Sequence, residues 1–199
     1  MTPVPRWYTF SAWCQADRSS QKPCESRETV KDSASSSSLL VVAIIGIIAS
    51  IGLPALLRAR MSGNEAAAIG SLRSLNSGET SYASAAGHGG FAGLLATLAA
   101  PCPGSAAAFI SAELSSDPSV KSGYTITMTS AALSVPGTGD CNGTPTETGY
   151  YATALPVAAG NSGQRGFATA GSGTIYFDGT GVAPTEAQMA AGGGGTPLQ

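Results

Sequence analysis

Few side chains in this sequence are of types that do chemistry, and their spacing decides what they can do. The single histidine, His88, lies in Ala85-Ala86-Gly87-His88-Gly89-Gly90. An HGG run can supply an oxyanion hole in hydrolases, but that chemistry needs a nucleophile elbow G-x-S-x-G and a histidine base. The sequence has no such elbow and no second histidine, so the run reads as a glycine-rich helix terminus. The cysteines are Cys14, Cys24, Cys102 and Cys141, with no C-x-x-C pair; with one histidine they do not make a tetrahedral zinc set. Cys102 and Cys141 read as a disulfide if that part of the chain is exported, and as two buried thiols otherwise. Asp178-Gly179-Thr180-Gly181 offers an acid and loop carbonyls of the kind Ca²⁺ takes. No further acids stand close by in sequence, so a β-turn is the simpler reading. Asn142-Gly143-Thr144 is a glycosylation sequon in a turn-rich loop. No catalytic residue, metal ligand or cofactor site is assigned, and the expectation is a protein that is not an enzyme.

The elements around these residues are dominated by Leu39–Leu57, LLVVAIIGIIASIGLPALL, an uncharged run of 19 residues closed by Arg58 and Arg60. At ~1.5 Å per residue a helix of this length is ~28 Å long, about the thickness of a bilayer's hydrocarbon core. A signal-peptide core is shorter, and a buried core helix of this length usually keeps a polar face, so a membrane span is expected. Gly46 lets another backbone come close, and Pro54 removes one backbone hydrogen bond, predicting a kink or local loosening. From Leu57 to Ala86 the set Met61, Ala68, Leu72, Leu75 and Tyr82 follows three- and four-residue steps with Ile69 beside it. That is one apolar stripe on a helix, with Glu65, Arg73, Asn76 and Glu79 placed largely off it. The helix should end near Gly87–Gly90.

Beyond it, residues 91–121 divide between short helical turns, over Phe91–Ala100 and Ala106–Leu114, and irregular loop. From Lys121 the period becomes two. Strands are expected over Gly123–Val135, Gly149–Val157, Gly163–Ala170 and Thr174–Gly179, with a turn-rich loop over Pro136–Thr144 and a flexible tail from Ala190. Four strands with short connections make an antiparallel meander that needs a cover on one face, and the stripe of the long helix supplies it. Charged residues are only 11% of the 199, and residues 61–199 hold three Lys/Arg against eight Asp/Glu. A nucleic-acid partner would need a basic face, and none is present. Residues 1–38 differ from the rest: they hold both tryptophans, half of all Lys/Arg and two cysteines, and end in Ser-Ala-Ser-Ser-Ser-Ser. They read as a disordered mixed-charge tail, or as the product of a shifted frame or misplaced start upstream of Leu39, or as a fusion that borrows the next segment as an anchor.

The stretch 39–82 (LLVVAIIGIIASIGLPALLRARMSGNEAAAIGSLRSLNSGETSY) resembles the N-terminal helix of type IV pilins and the related type II secretion pseudopilins. The apolar run VVAIIGIIASIGLP, the LLRAR after it and NEAAAIGSLRSLNS with a tyrosine shortly after carry the likeness. It implies an α+β pilin fold: a long N-terminal helix, transmembrane in its first half, packed on a small four-stranded antiparallel sheet. Three regions follow: 1–38 as the atypical segment, 39–57 as the membrane half, and 58–199 as the amphipathic half plus globular domain. The resemblance implies helix packing and assembly through Ile45, Gly46, Ile48, Ile51, Pro54 and Leu57, and helix–sheet packing through Met61, Ile69, Leu72, Leu75 and Tyr82. It implies a filament subunit held in the bacterial inner membrane, with its C-terminal domain outside the cytoplasm. Its partners would be identical or homologous subunits and the assembly machinery. A pseudopilin and an anchored binding domain that never polymerises remain alternatives. The family's short basic leader ends in Gly, followed by Phe and by a Glu at the fifth mature position; here no Gly-Phe precedes the run and Ser37 or Ser38 stands at the Glu position.

Overall fold

The computed structural model of the chain describes residues 34–191 and 195–198, and side chains from Ser38 onward. The tail expected over residues 1–38 lies outside the described residues as far as position 33. The chain divides into two units, 1–44 and 45–199; of the first, only the opening of one helix is described.

That helix, α1, runs over Ala34–Ala85, 52 residues, and continues through Pro54. Its start precedes the expected Leu39 by five residues. Aliphatic residues and alanines sustain it, and Ser50 Oγ is satisfied by the Ile47 carbonyl at 2.8 Å. It ends as the glycines require: Ala86 and Gly87 N–H both reach the Tyr82 carbonyl at 2.8 Å, and the chain turns with φ of 50° at His88 and 92° at Gly89. Two further helices are short, α2 over Leu95–Ala99 and α3 over Glu186–Ala191, and Ala112–Leu114 forms a 3-10 turn.

The sheet is larger than the four strands expected. Strands β1 (Ser119–Lys121), β2 (Tyr124–Ser130), β5 (Tyr150–Pro156), β6 (Gly166–Ala170), β7 (Ile175–Asp178) and β8 (Thr196–Pro197) form one antiparallel sheet in the order β1-β2-β5-β6-β7-β8. Strands β3 (Pro136–Gly139) and β4 (Pro145–Glu147) pair separately as a hairpin in the stretch read as loop. The added strands are two to four residues long and mostly exposed, so they carry no alternating apolar signal. The tail is likewise more ordered than expected: Ala190 and Ala191 close α3, and Thr196–Pro197 pair with Tyr176 and Phe177.

β2 shows why the sheet has an inner face. Tyr124, Ile126 and Met128 are buried, and the threonines between them are more exposed. With Ala152, Ala154 and Phe167 from β5 and β6 they pack against Ala68, Leu72, Leu75 and Tyr82 of α1. Leu72, Leu75 and Tyr82 thus sit in the core, Ile69 is partly buried against it, and Met61 is half-buried outside it. Edge-on aromatic pairs close its ends: Tyr82 with Phe109 at 5.4 Å and Phe91 with Tyr150 at 5.3 Å between ring centroids.

Candidate functional site

The apolar half of α1 has no polar face to turn toward water. Ile45, Ile48, Ile51 and Leu57 are all more than half exposed, and their large apolar neighbours Ile44, Ile47, Leu53 and Leu56 are at least half exposed. A Cβ added at Gly46 or Gly52 would meet nothing within 4 Å. Pro54 is also exposed, so the six residues expected to mediate assembly line one helix and none of them is buried by another element among the described residues. Among the described residues α1 is the one helix long and apolar enough to cross a membrane. An all-round apolar helix belongs in lipid or among other helices, because each exposed leucine or isoleucine costs about 1.5–3 kcal/mol in water relative to burial. The exposed Arg58 and Arg60 mark where that surface ends.

Past these arginines α1 fastens the sheet domain through polar ties, and two of them correct the sequence reading. Glu65 and Glu79, expected off the apolar stripe, are both buried. The steps 65-68-72-75-79-82 alternate three and four, so both carboxyls lie on the stripe itself. Glu65 Oε1 accepts the backbone N–H groups of Gln164 (2.9 Å) and Arg165 (3.2 Å); Oε2 accepts Arg165 Nε at 2.8 Å and faces its terminal nitrogen at 2.7 Å. Burial works to raise this carboxyl. The Gln164 and Arg165 hydrogen bonds and the guanidinium charge outweigh it and hold the group below the usual carboxylate range. The guanidinium also lies 5.7 Å from the Phe167 ring centre and 5.2 Å from that of Phe177. One residue earlier, Asn64 Nδ2 donates to the Ser162 carbonyl at 2.8 Å.

Glu79 is held differently. Oε2 accepts the Ala92 N–H at 2.9 Å, and buried Oε1 has no partner among the described residues. Burial pushes this carboxyl up to about 8, against a smaller downward pull from the Ala92 hydrogen bond. Near the helix end, the Tyr82 hydroxyl donates to Asp140 Oδ2 at 2.9 Å. Asp140 Oδ1 accepts the N–H groups of Asn142 (2.8 Å) and Thr144 (2.7 Å), folding the tip of the β3–β4 hairpin. Burial first, then the Asp140 bond and charge, drive the Tyr82 hydroxyl's pKa well up. Cys141, beside Asp140, is disulfide-bonded to Cys102 with Cα atoms 5.5 Å apart, the pairing expected for an exported domain.

The residues considered for catalysis remain scattered. His88 is exposed past the helix end. Asp178 Oδ1 is occupied by the Thr180 N–H (2.7 Å) and hydroxyl (2.6 Å) in a local turn. Among the described residues no three His, Cys, Asp or Glu side chains converge. No protein-family model, curated protein or solved structure matches the chain.

Proposed function

We propose that this chain is a structural subunit of a type IV pilus-like filament, anchored in the bacterial inner membrane before assembly with its sheet domain outside the cytoplasm. The observation that carries the reading is α1: one half apolar all round and exposed, the other packed on an antiparallel sheet. Such a helix suits two environments in turn. In the bilayer its apolar half meets lipid; in a filament the same surface meets the helices of neighbouring subunits. Association there gains little from leaving lipid, whose tails are as apolar as leucine, so it depends on close packing. Ala43, Gly46, Ala49, Ser50 and Gly52 permit close approach. The Cys102–Cys141 disulfide fits an oxidising compartment.

The sequence resemblance to type IV pilins and pseudopilins supports the same reading, and within it a pseudopilin of a type II secretion system is the nearest alternative. An anchored binding domain that does not polymerise is the second. Shearing cells that carry the assembly ATPase should release fibres containing the protein. Ile45→Lys should leave the protein in the membrane fraction and abolish the fibres, by placing a charge in the helix bundle. Membrane-bound monomer and no fibres in any assembly-competent background would reject the filament.

A further inference from the structure

The sheet domain has two ends, and one is tied to α1 close to the apolar segment. Asn64 and Glu65 hold the β5–β6 loop through Ser162, Gln164 and Arg165. Asn64 follows Leu57 by seven residues, ~10 Å along a helix axis at ~1.5 Å per residue. The headgroup layer on each side of a bilayer is ~5–8 Å deep. A second loop, between β7 and α3, lies against the first. A Cβ added at Gly181 would stand 3.4 Å from that of Ala159, and one added at Gly166 would run into the Val182 backbone.

These two loops are unlike the rest of the surface. Residues 156–164 (PVAAGNSGQ) and 179–182 (GTGV), the part of the second loop beside Ala159 and Gly166, contain no charged side chain; from Ala183 that loop runs on toward the other end, where the Pro184 carbonyl accepts the Tyr151 hydroxyl. Val157 and Val182 within them are 59% and 63% exposed. Of the formal charges nearby, two are exposed cations, two form one ion pair and one is a carboxylate. Arg58 and Arg60 are exposed, Glu65 is taken up by Arg165, and the Asp178 carboxylate is held by Thr180. The other end of the sheet also exposes an apolar residue, Leu133, at 94%. That end lies past Ser130, about 20 Å from Tyr124 along β2 at ~3.3 Å per residue. Two acids sit there, Glu147 bonded to Ser134 and Glu186 bonded to Ala132. Exposure alone therefore does not distinguish the ends. The tie to α1 and the charge balance do.

We infer that the β5–β6 and β7–α3 loops form a rim that rests on the surface of the anchoring bilayer, with Val157 and Val182 entering the headgroup boundary and Arg58 and Arg60 meeting lipid phosphates. This rests on the reading of α1 as a membrane anchor. Apolar residues beside cations are what interfacial contacts with anionic lipid require. The rim would fix the domain's orientation before a subunit leaves the membrane.

The test uses the full chain with Cys14→Ser and Cys24→Ser, the Cys102–Cys141 disulfide intact. It is reconstituted in vesicles of phosphatidylcholine and phosphatidylglycerol. Single cysteines replacing Ile48, Val157, Val182 or Leu133 carry an environment-sensitive fluorophore, and quenching by lipids brominated near the headgroup or deep in the chains is measured. All four are exposed positions, so the substitutions leave the core untouched. Shallow quenching at 157 and 182, roughly twofold or more above that at 133, together with deep quenching at 48, is the expected result. Quenching at 48 with 157 and 182 no different from 133 overturns the rim alone. Absence of lipid quenching at 48 overturns the membrane anchor, and the rim with it.

Discussion

At the Glu79 carboxyl the two oxygens are in different circumstances: one accepts the Ala92 N–H and the other, equally buried, has no partner among the described residues. The consequence has a definite sign. Burial raises this group from 4.5 to about 8 in the folded chain, so between those values the folded state holds the proton more tightly than the unfolded state. The associated stability is fully present below about pH 4.5 and is lost as pH rises through about 8. Tyr82 and Tyr150 feel the same carboxylate: the Tyr150 pKa is raised by burial first and by the Glu79 charge after, and the Tyr82 pKa by burial, then Asp140, and last by Glu79. Glu65 acts in the opposite sense, but its carboxyl is held low, so its contribution is lost only in more acid solution. Denaturant unfolding at about pH 5 and about pH 9 should show a loss of a few kcal/mol at the higher value, since each tenfold difference in proton affinity between the two states is worth ~1.4 kcal/mol. Glu79→Gln should flatten that slope and be the more stable protein at about pH 9. An unchanged slope in the variant would place the titrating group elsewhere. Both buried glutamates were legible in principle, since they fall on the three-and-four spacing of Leu72, Leu75 and Tyr82. Their charge argues for a solvated face, and only the folded chain supplies the Arg165 and Ala92 groups that make burial tolerable.

Among the elements, the β3–β4 hairpin depends on ties outside the main sheet. Its outer strand is exposed throughout, and its tip is bound to the remainder by Tyr82 to Asp140, by Cys141 to Cys102 and by the Asn142 amide donating to the Pro101 carbonyl at 3.4 Å. The disulfide closes a loop of 39 residues, which on chain-entropy grounds stabilises the fold by about 4 kcal/mol. Replacing both cysteines by serine should lower the unfolding free energy in urea by roughly that amount, with an m-value no smaller than that of the disulfide-bonded chain, because the freed denatured chain expands. A loss under about 1 kcal/mol would mean that the reduced chain keeps the loop closed by other contacts. The four longer strands were visible in the sequence because Tyr124–Ser130 and Tyr150–Pro156 alternate or are rich in β-formers. The hairpin was not, since proline, glycine and threonine without an apolar face are the composition of a loop. The first strand also stops at Ser130 rather than Val135, because the chain turns at Ala131, whose carbonyl accepts the Ser134 N–H at 2.9 Å.

For the molecule as a whole, nothing buried precedes Glu65 among the described residues. Removing residues 1–57 should therefore leave residues 58–199 folded and soluble without detergent, with the disulfide formed and a thermal midpoint within a few degrees of the full chain's. Aggregation of that fragment, or a much lower midpoint, would show that the apolar half supports the sheet domain. The α+β class and the long apolar helix could be read directly, because 19 uncharged residues followed by a helical stripe leave few alternatives. The size of the sheet could not, since its two edge strands are defined by pairing rather than by pattern.

The two ends of α1's buried stretch are both fastened, at Asn64 and Glu65 on one side and at Tyr82 on the other. That arrangement has a mechanical meaning. A pull along the helix axis loads the lower ties, the packed core and the upper tie together, in shear, instead of opening them one after another. Many weak bonds strained at once resist far more force than the same bonds broken in turn. Cutting one end tie, as in Tyr82→Phe, would convert shear into peeling, so that single-molecule extension should register a larger loss than the equilibrium cost of about 1–3 kcal/mol for leaving Asp140 Oδ2 without that donor.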